Sequence, residues 1–209
     1  LREIFKSTEV TEEQLDLLGQ LQRSMHEIDE SIIDTKLLAD LFENFGFDRG
    51  ILVALFMRRF KLQPGQAVFV DAGVPHSYLR GLGVEILNSS DNVLRGGLTD
   101  KHVSPEDFIS VLDAPGSVSV NAQSGTQVSN GLWEYRLENV DFSLHRISVS
   151  GQNLLADLKL PGESILVCTA GELDVSNSLG DFVKIRRGEA AFLSNEANFF
   201  TVAGSGEGY

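Results

Sequence analysis

Four histidines, one cysteine and a few charged or phenolic side chains near the middle of the chain carry chemistry beyond packing. His76 sits in Gly73-Val74-Pro75-His76-Ser77-Tyr78-Leu79. Its imidazole can ligate a metal or move a proton. It reads equally as a satisfied structural histidine, and a lone histidine makes no stable zinc site, because such sites need three or four protein ligands. Arg95 offers a planar, permanently charged fork suited to an anionic oxygen or a phosphate, and Lys101 a compact cation for the same kind of group. Read from residue types alone, Arg95 is as well explained by a salt bridge to Glu85 or Asp91, and Asp91-Asn92 by a turn with side-chain-to-backbone hydrogen bonds. His26, beside Glu27, reads as a surface residue; His102 follows Lys101 in a loop; His145 lies in a strand-like run. Cys168 has no partner for an internal disulfide and cannot build a thiolate metal site, which points to a reducing compartment, the cytosol.

These residues need elements to hold them. The first sixty residues contain no proline and read as helices. Thr11-Glu12-Glu13-Gln14 opens one with acids in its first turn; Leu15, Leu18, Gln22 and Met25 follow at helical spacing. Ile32, Ile33, Lys36, Leu37 and Leu41 suggest a second, and Asp48 to Phe60 a third, with Gly46 and Gly50 around the turn before it. At Leu62-Gln63-Pro64-Gly65-Gln66 the pattern changes to a turn and then the β-rich run Ala67-Val68-Phe69-Val70. Short apolar runs separated by Gly, Asn, Asp and Pro continue to the end, as in Val84–Leu87, Val118–Val120, Trp133–Leu137, Phe142–Ile147 and Ile165–Cys168. That spacing suits antiparallel strands in a sandwich or barrel. A weak repeat relates 62–70 to Leu160-Pro161-Gly162-Glu163-Ser164-Ile165-Leu166-Val167, and Arg187-Gly188-Glu189-Ala190-Ala191-Phe192-Leu193 echoes it, placing a boundary between two units near Asp113-Ala114-Pro115-Gly116.

The 209 residues carry 30 acids and 17 bases, a net charge of −13. This disfavours nucleic acid and anionic membranes as partners, since both attract Lys- and Arg-rich surfaces. No apolar run reaches the roughly 20 residues that span a bilayer, and no basic-then-apolar signal pattern is found in these 209 residues, which begin at Leu1 and are expected to start inside a longer protein.

Gly65-x5-Asp71-x-Gly73-x2-His76 is close to the second sequence motif of the cupin jelly roll, with Asp71 where proline is usual. The stretch Ser90-Asp91-Asn92-Val93-Leu94-Arg95-Gly96-Gly97-Leu98-Thr99-Asp100-Lys101 resembles the type I mannose-6-phosphate isomerase signature Ser-Asp-Asn-Val-x-Arg-Ala-Gly-Leu-Thr-Pro-Lys. Gly50–Phe56 followed by 62–67 looks like that family's helix and Leu-x-Pro-Gly-Glu-Ala turn, and Gly73–Leu79 resembles its Gly-x-Pro-His-Ala-Tyr-Leu. The close resemblance covers about residues 46–112. Gly96 and Ser77 stand where alanine is usual, Asp100 replaces proline, and Leu87-Asn88 stands where Met-Ala is common.

The resemblance implies a mainly β fold: a helical segment over 1–60, the C-terminal part of a catalytic cupin jelly roll over 61–114, and a second, metal-free jelly roll over 115–209. At its matching turn the second unit has Asn198, not histidine. The implied reaction interconverts mannose 6-phosphate and fructose 6-phosphate through an enediol in a cytoplasmic monomer with a sugar-phosphate substrate. Zinc is the implied cofactor and His76 one of its ligands. Arg95, Lys101, Tyr78 and Asp91 are the implied catalytic residues, and the general base is not identified. The family's other zinc ligands are a Gln-x-His pair and an upstream Glu. This chain has no Gln-x-His pair. It therefore looks like the C-terminal portion of a longer enzyme, expected by itself to show little isomerase activity and weak zinc affinity. A non-catalytic cupin that binds sugar is the competing reading. The expected geometry puts His76 on an inward-facing strand position, Tyr78 on the same side and Arg95 nearby.

Overall fold

The computed structural model of the protein describes residues 2–90, 92–112, 121–137, 140–151 and 153–209. The expected boundary near Asp113–Gly116, the run Val118–Val120 and Asp91 lie outside the described residues. The described chain forms two compact units. One draws on residues 2–61, 70–81 and 87–112, the other on 62–69, 82–86 and 121–209.

In the first unit, helices form where side chains satisfy their open ends. Helix α1 (Glu12–Ser24) starts with a reciprocal capping box. The Thr11 hydroxyl accepts from the Gln14 amide and the Gln14 side chain accepts from the Thr11 amide, both at 3.2 Å. A single 3₁₀ turn (Met25–Glu27) follows. Helix α2 (Thr35–Phe45) is capped by Asp34 and stops at Gly46, whose φ of 61° suits glycine. Helix α3 (Arg49–Ala54) is capped by Asp48. Leu18, Leu38, Leu41, Phe42, Ile51 and Leu52 form the shared core of these helices. The third helix was expected to reach Phe60 and ends at Ala54. Arg49 through Val53 are buried, but Phe56 is 78% exposed, so past Ala54 no burial supports propagation. Tight turn bonds, Phe56 N–H to Val53 O and Met57 N–H to Ala54 O, unwind it instead. Helix α4 (Pro105–Val111), absent from the sequence reading, begins with Ser104 as cap and Pro105 in the first turn.

The second unit holds the sheets. A two-stranded ladder joins β1 (Gln66–Ala67) to β2 (Gln123–Ser124). The larger sheet comprises β3 (Thr126–Ser129), β4 (Leu132–Tyr135), β5 (Leu144–Val149), β6 (Leu155–Leu158), β7 (Ser164–Asn177), β8 (Phe182–Arg186), β9 (Ala190–Leu193) and β10 (Phe200–Gly208). Its order is β3-β4-β5-β10-β7-β8, with β6 on β10 and β9 on β7. Every pairing is antiparallel, as the strand spacing predicts. Alternation along the strands sends Leu132, Ile147, Val149, Leu166, Leu173, Val175, Ile185 and Val202 into one core. Gly206 lets β10 approach β7 closely, because a Cβ there would lie 2.6 Å from the Ala170 carbonyl oxygen.

The protein is mainly β, but its strands are unevenly placed. After Ala67 no described residue before Gln123 belongs to a strand. The runs at 68–70 and 84–87 have strand-like composition, yet no ladder partner for them exists among the described residues. A strand is defined by its paired backbone groups, so the pattern alone does not make one.

Candidate active site

His76 is exposed and lies in irregular backbone, not on the inward-facing strand position expected for it. Its Nδ1 is 3.0 Å from the Val74 carbonyl oxygen. A carbonyl only accepts, so Nδ1 carries the proton and Nε2 keeps the lone pair a metal or an acid would use. Tyr78, two residues on, meets the His76 ring edge-to-face at 6.0 Å, which places the two on the same side. Asp91 lies outside the described residues. Beside it, the Asn92 amide donates to the Ser90 hydroxyl at 3.1 Å, the local turn bonding that Ser and Asn favour. Lys101 is exposed, and its amide donates to the Thr99 hydroxyl at 3.1 Å. Arg95 is half-buried, with Nη1 3.5 Å from the Val93 carbonyl. Among the described residues no hydrogen bond, ion pair or ring contact joins Arg95 or Lys101 to His76. His102 is exposed, and His26 is an exposed helical residue 3.7 Å from Glu27.

The loop carrying Arg95 is firmly seated. Leu94 packs with Phe5, Val53 and Phe108. An added Cβ on Gly96 would lie 2.5 Å from the Phe108 ring. The Leu98 side chain joins the core of α1, α2 and α3, and its amide donates to Asp48 Oδ1 at 3.0 Å. The same Asp48 oxygen accepts from Gly50 N at 2.6 Å. A cleft of about 270 Å³ opens here, lined by Thr8, Glu9, Val10, Asp48, Arg49, Gly97 and Val103. The Arg49 guanidinium is buried and donates to the carbonyls of Ser7 at 2.5 Å and Thr8 at 2.7 Å. Sequence reading had Asp48 only as a helix start. Nothing local announces a contact fifty residues away.

The second unit holds its own polar group, also missed. Arg146 donates to Glu207 at 2.8 Å and lies 5.0 Å from the Trp133 ring centroid. The bond to Glu207 holds the Arg146 charge above its ordinary pKa. Tyr135 donates its hydroxyl to the Gly65 carbonyl at 2.7 Å, and burial pushes its pKa up. Gly65 has φ of 80°, and a Cβ there would lie 2.6 Å from Arg146 Nη1, so the turn needs glycine. His145 sits opposite Glu134 across β4 and β5, 3.9 Å away; burial lowers its pKa although Glu134 opposes the shift. Cys168 is fully buried, and desolvation raises its thiol pKa, which makes it an inert core residue.

The described residues thus form an antiparallel, mainly β chain with a helical segment and a Gly-x-Pro-His turn. No family model matches the chain. It is 30% identical over 173 residues to the mannose-6-phosphate isomerase of Salmonella typhimurium, across 78% of this chain and 41% of that protein. The Escherichia coli mannose-6-phosphate isomerase is 29% identical over 161 residues, 76% of this chain and 40% of its own. Among solved structures, mannose 6-phosphate isomerase from Salmonella typhimurium bound to fructose 6-phosphate and zinc superposes with a TM-score of 0.80 at 22% identity, over 99% of this chain and 51% of that one. A zinc-bound mannose 6-phosphate isomerase gives the same values. The chain is homologous to the type I mannose-6-phosphate isomerases and has their cupin fold. It spans about two fifths of the length of the curated relatives it matches.

Those neighbours are zinc proteins, so the ligand set matters. Among the described residues no three His, Cys, Asp or Glu side chains gather in a way that could hold a metal. His76 offers a single nitrogen. The described residues of this chain do not by themselves fit a zinc ion.

Proposed function

We propose that this chain carries the sugar-phosphate-handling part of an isomerase that interconverts mannose 6-phosphate and fructose 6-phosphate. The observation that carries the reading is the Ser90–Lys101 signature, seated on the helical core through Leu94 and Leu98, in a chain homologous to enzymes of that activity. The reaction moves a proton between C1 and C2, and negative charge develops on oxygen as the enediol forms. A planar guanidinium at Arg95 suits that developing charge or the phosphate, and the Lys101 ammonium suits the phosphate. Tyr78 and Asp91 belong to the proposal as groups that orient substrate. With it goes the division into a helical segment (1–60), a catalytic part (61–114) and a metal-free unit (115–209).

Zinc enters as the family's cofactor, with His76 as the ligand this chain supplies; it would stabilise the charge on oxygen. A second reading, a non-catalytic cupin module that binds sugar without turnover, is equally compatible with the lack of a ligand cluster among the described residues.

The test is turnover of mannose 6-phosphate at saturation, together with bound zinc, for the natural gene product carrying this sequence and for residues 1–209 alone. The enzyme reading expects zinc-dependent turnover by the gene product and little by 1–209. Arg95→Ala should cut gene-product turnover by about 10²-fold, as for loss of one preorganised donor. Arg95→Lys should restore little, because the fork is gone. Fructose 6-phosphate binding with no turnover and no zinc in either preparation would favour the module.

A further inference from the structure

We propose that Asp48 is a positioning residue for Arg95, fixing the loop that presents the guanidinium by accepting a hydrogen bond from the Leu98 amide. The inference rests on the role given above to Arg95. The guanidinium's described bond, to Val93 at 3.5 Å, is long, so the backbone decides where the side chain starts. That backbone is held on both sides. Before Arg95, the Leu94 side chain sits against Phe5, Val53 and Phe108. After it, the chain makes two unusual turns. Gly97 has φ of 133°, and a Cβ there would lie 2.5 Å from Asp48 Oδ1 and 2.8 Å from Gly50 N. Leu98 has φ of 54°, a left-handed conformation rarely adopted by leucine.

Such a backbone persists only where its surroundings hold it. At Leu98 the polar restraint is Asp48. One carboxylate oxygen takes the Gly50 amide at 2.6 Å, capping α3, and the Leu98 amide at 3.0 Å, pinning the loop. Helix start and signature loop are thereby tied to one atom.

The cap and the pin can be separated. Asp48→Ser keeps a good helix cap, but its shorter side chain cannot also reach Leu98. Asp48→Asn keeps an Oδ1 acceptor for both. The experiment measures kcat and KM for mannose 6-phosphate in the natural gene product, for Asp48→Ser, Asp48→Asn, Arg95→Ala and the double variant Asp48→Ser/Arg95→Ala. It also follows hydrogen exchange at the Leu98 amide. Asp48→Ser should lower kcat about tenfold through misplacement of a reacting group, with faster exchange at Leu98. Asp48→Asn should keep near-parent kcat. The double variant should be no slower than Arg95→Ala, because the pin acts through Arg95. A purely structural cap would instead give losses that multiply. Normal kcat in Asp48→Ser beside a crippled Arg95→Ala would overturn this inference alone, as would multiplying losses. Normal turnover in Arg95→Ala would overturn the role given to Arg95.

Discussion

Two segments that the sequence relates as a repeat end differently. Ala67-Val68-Phe69-Val70 follows a Pro-Gly turn and leaves the β1 ladder after one residue, with its side chains half-buried. Ser164-Ile165-Leu166-Val167 follows another Pro-Gly turn and is laddered residue for residue to β9, with Leu166 only 3% exposed. Composition does not separate them. The difference is a partner strand, and with it the supply of backbone hydrogen bonds that makes an apolar run a strand. The consequence for stability is that the strands from Thr126 to Gly208 share a dense core, while the described residues of 68–104 are held by turns and scattered anchors.

The sharpest way to break this contrast is to delete buried and exposed apolar side chains of the same type. Leu173→Ala, at a fully buried position in β7, should cost about 2–5 kcal/mol. Leu82→Ala, at a position 77% exposed, should stay within about 0.5 kcal/mol. Equal losses in urea melts of the two variants would sink the distinction. A somewhat smaller effect tests the anchors. Gly96→Ala restores the residue usual in the family's signature but drives a Cβ into the Phe108 ring, costing about 1–3 kcal/mol. Adding Phe108→Leu should recover part of that loss, and a rescue absent from thermal melts would show that Phe108 is not what excludes alanine. Tyr135→Phe removes the bond to the Gly65 carbonyl and should cost about 1 kcal/mol. Its effect belongs to the sheet unit, so hydrogen exchange should quicken at 62–67 without change in α2.

The smallest expected effect is a pH dependence. Burial lowers the pKa of His145 in the folded state, whereas the unfolded chain takes up its proton at the ordinary value near 6.5. Stability from this site is therefore present above about pH 6.5 and lost as pH falls through the lowered folded value. His145→Gln should flatten the acid side of the stability profile, and an unchanged slope would remove His145 as its source.

The parts of the fold carried by local signals were legible. Thr11 through Gln14 marked the start of α1, and alternating runs marked β4, β5 and β7. The turn histidine and the Ser90–Lys101 stretch were found because motifs are contiguous. Helix α4 was not legible although Ser104-Pro105 is a regular start, because seven residues are too few turns to show a helical period. The Asp48–Leu98 bond and the Arg146–Glu207 pair were out of reach for a different reason. Each joins residues fifty or more positions apart, and nothing in either neighbourhood specifies the other. The strand expected at His76 failed because periodicity reports which faces a segment offers, not whether another segment arrives to bond with it.

The position of β10 bears on how the sheet is made in the cell. It is the last strand in chain order, yet it lies between β5 and β7 and also takes β6. A ribosome delivers β3 through β9 first, so the edges of β5 and β7 emerge without the strand that joins them. Until residues 200–208 clear the exit tunnel, those open edges are templates for the wrong neighbour, and nascent chains need shielding over that interval. Stop codons or stalling sequences placed just before Phe200 should therefore yield aggregated product, while a stall in a linker added after Tyr209, long enough to clear the tunnel, should yield the fully paired sheet.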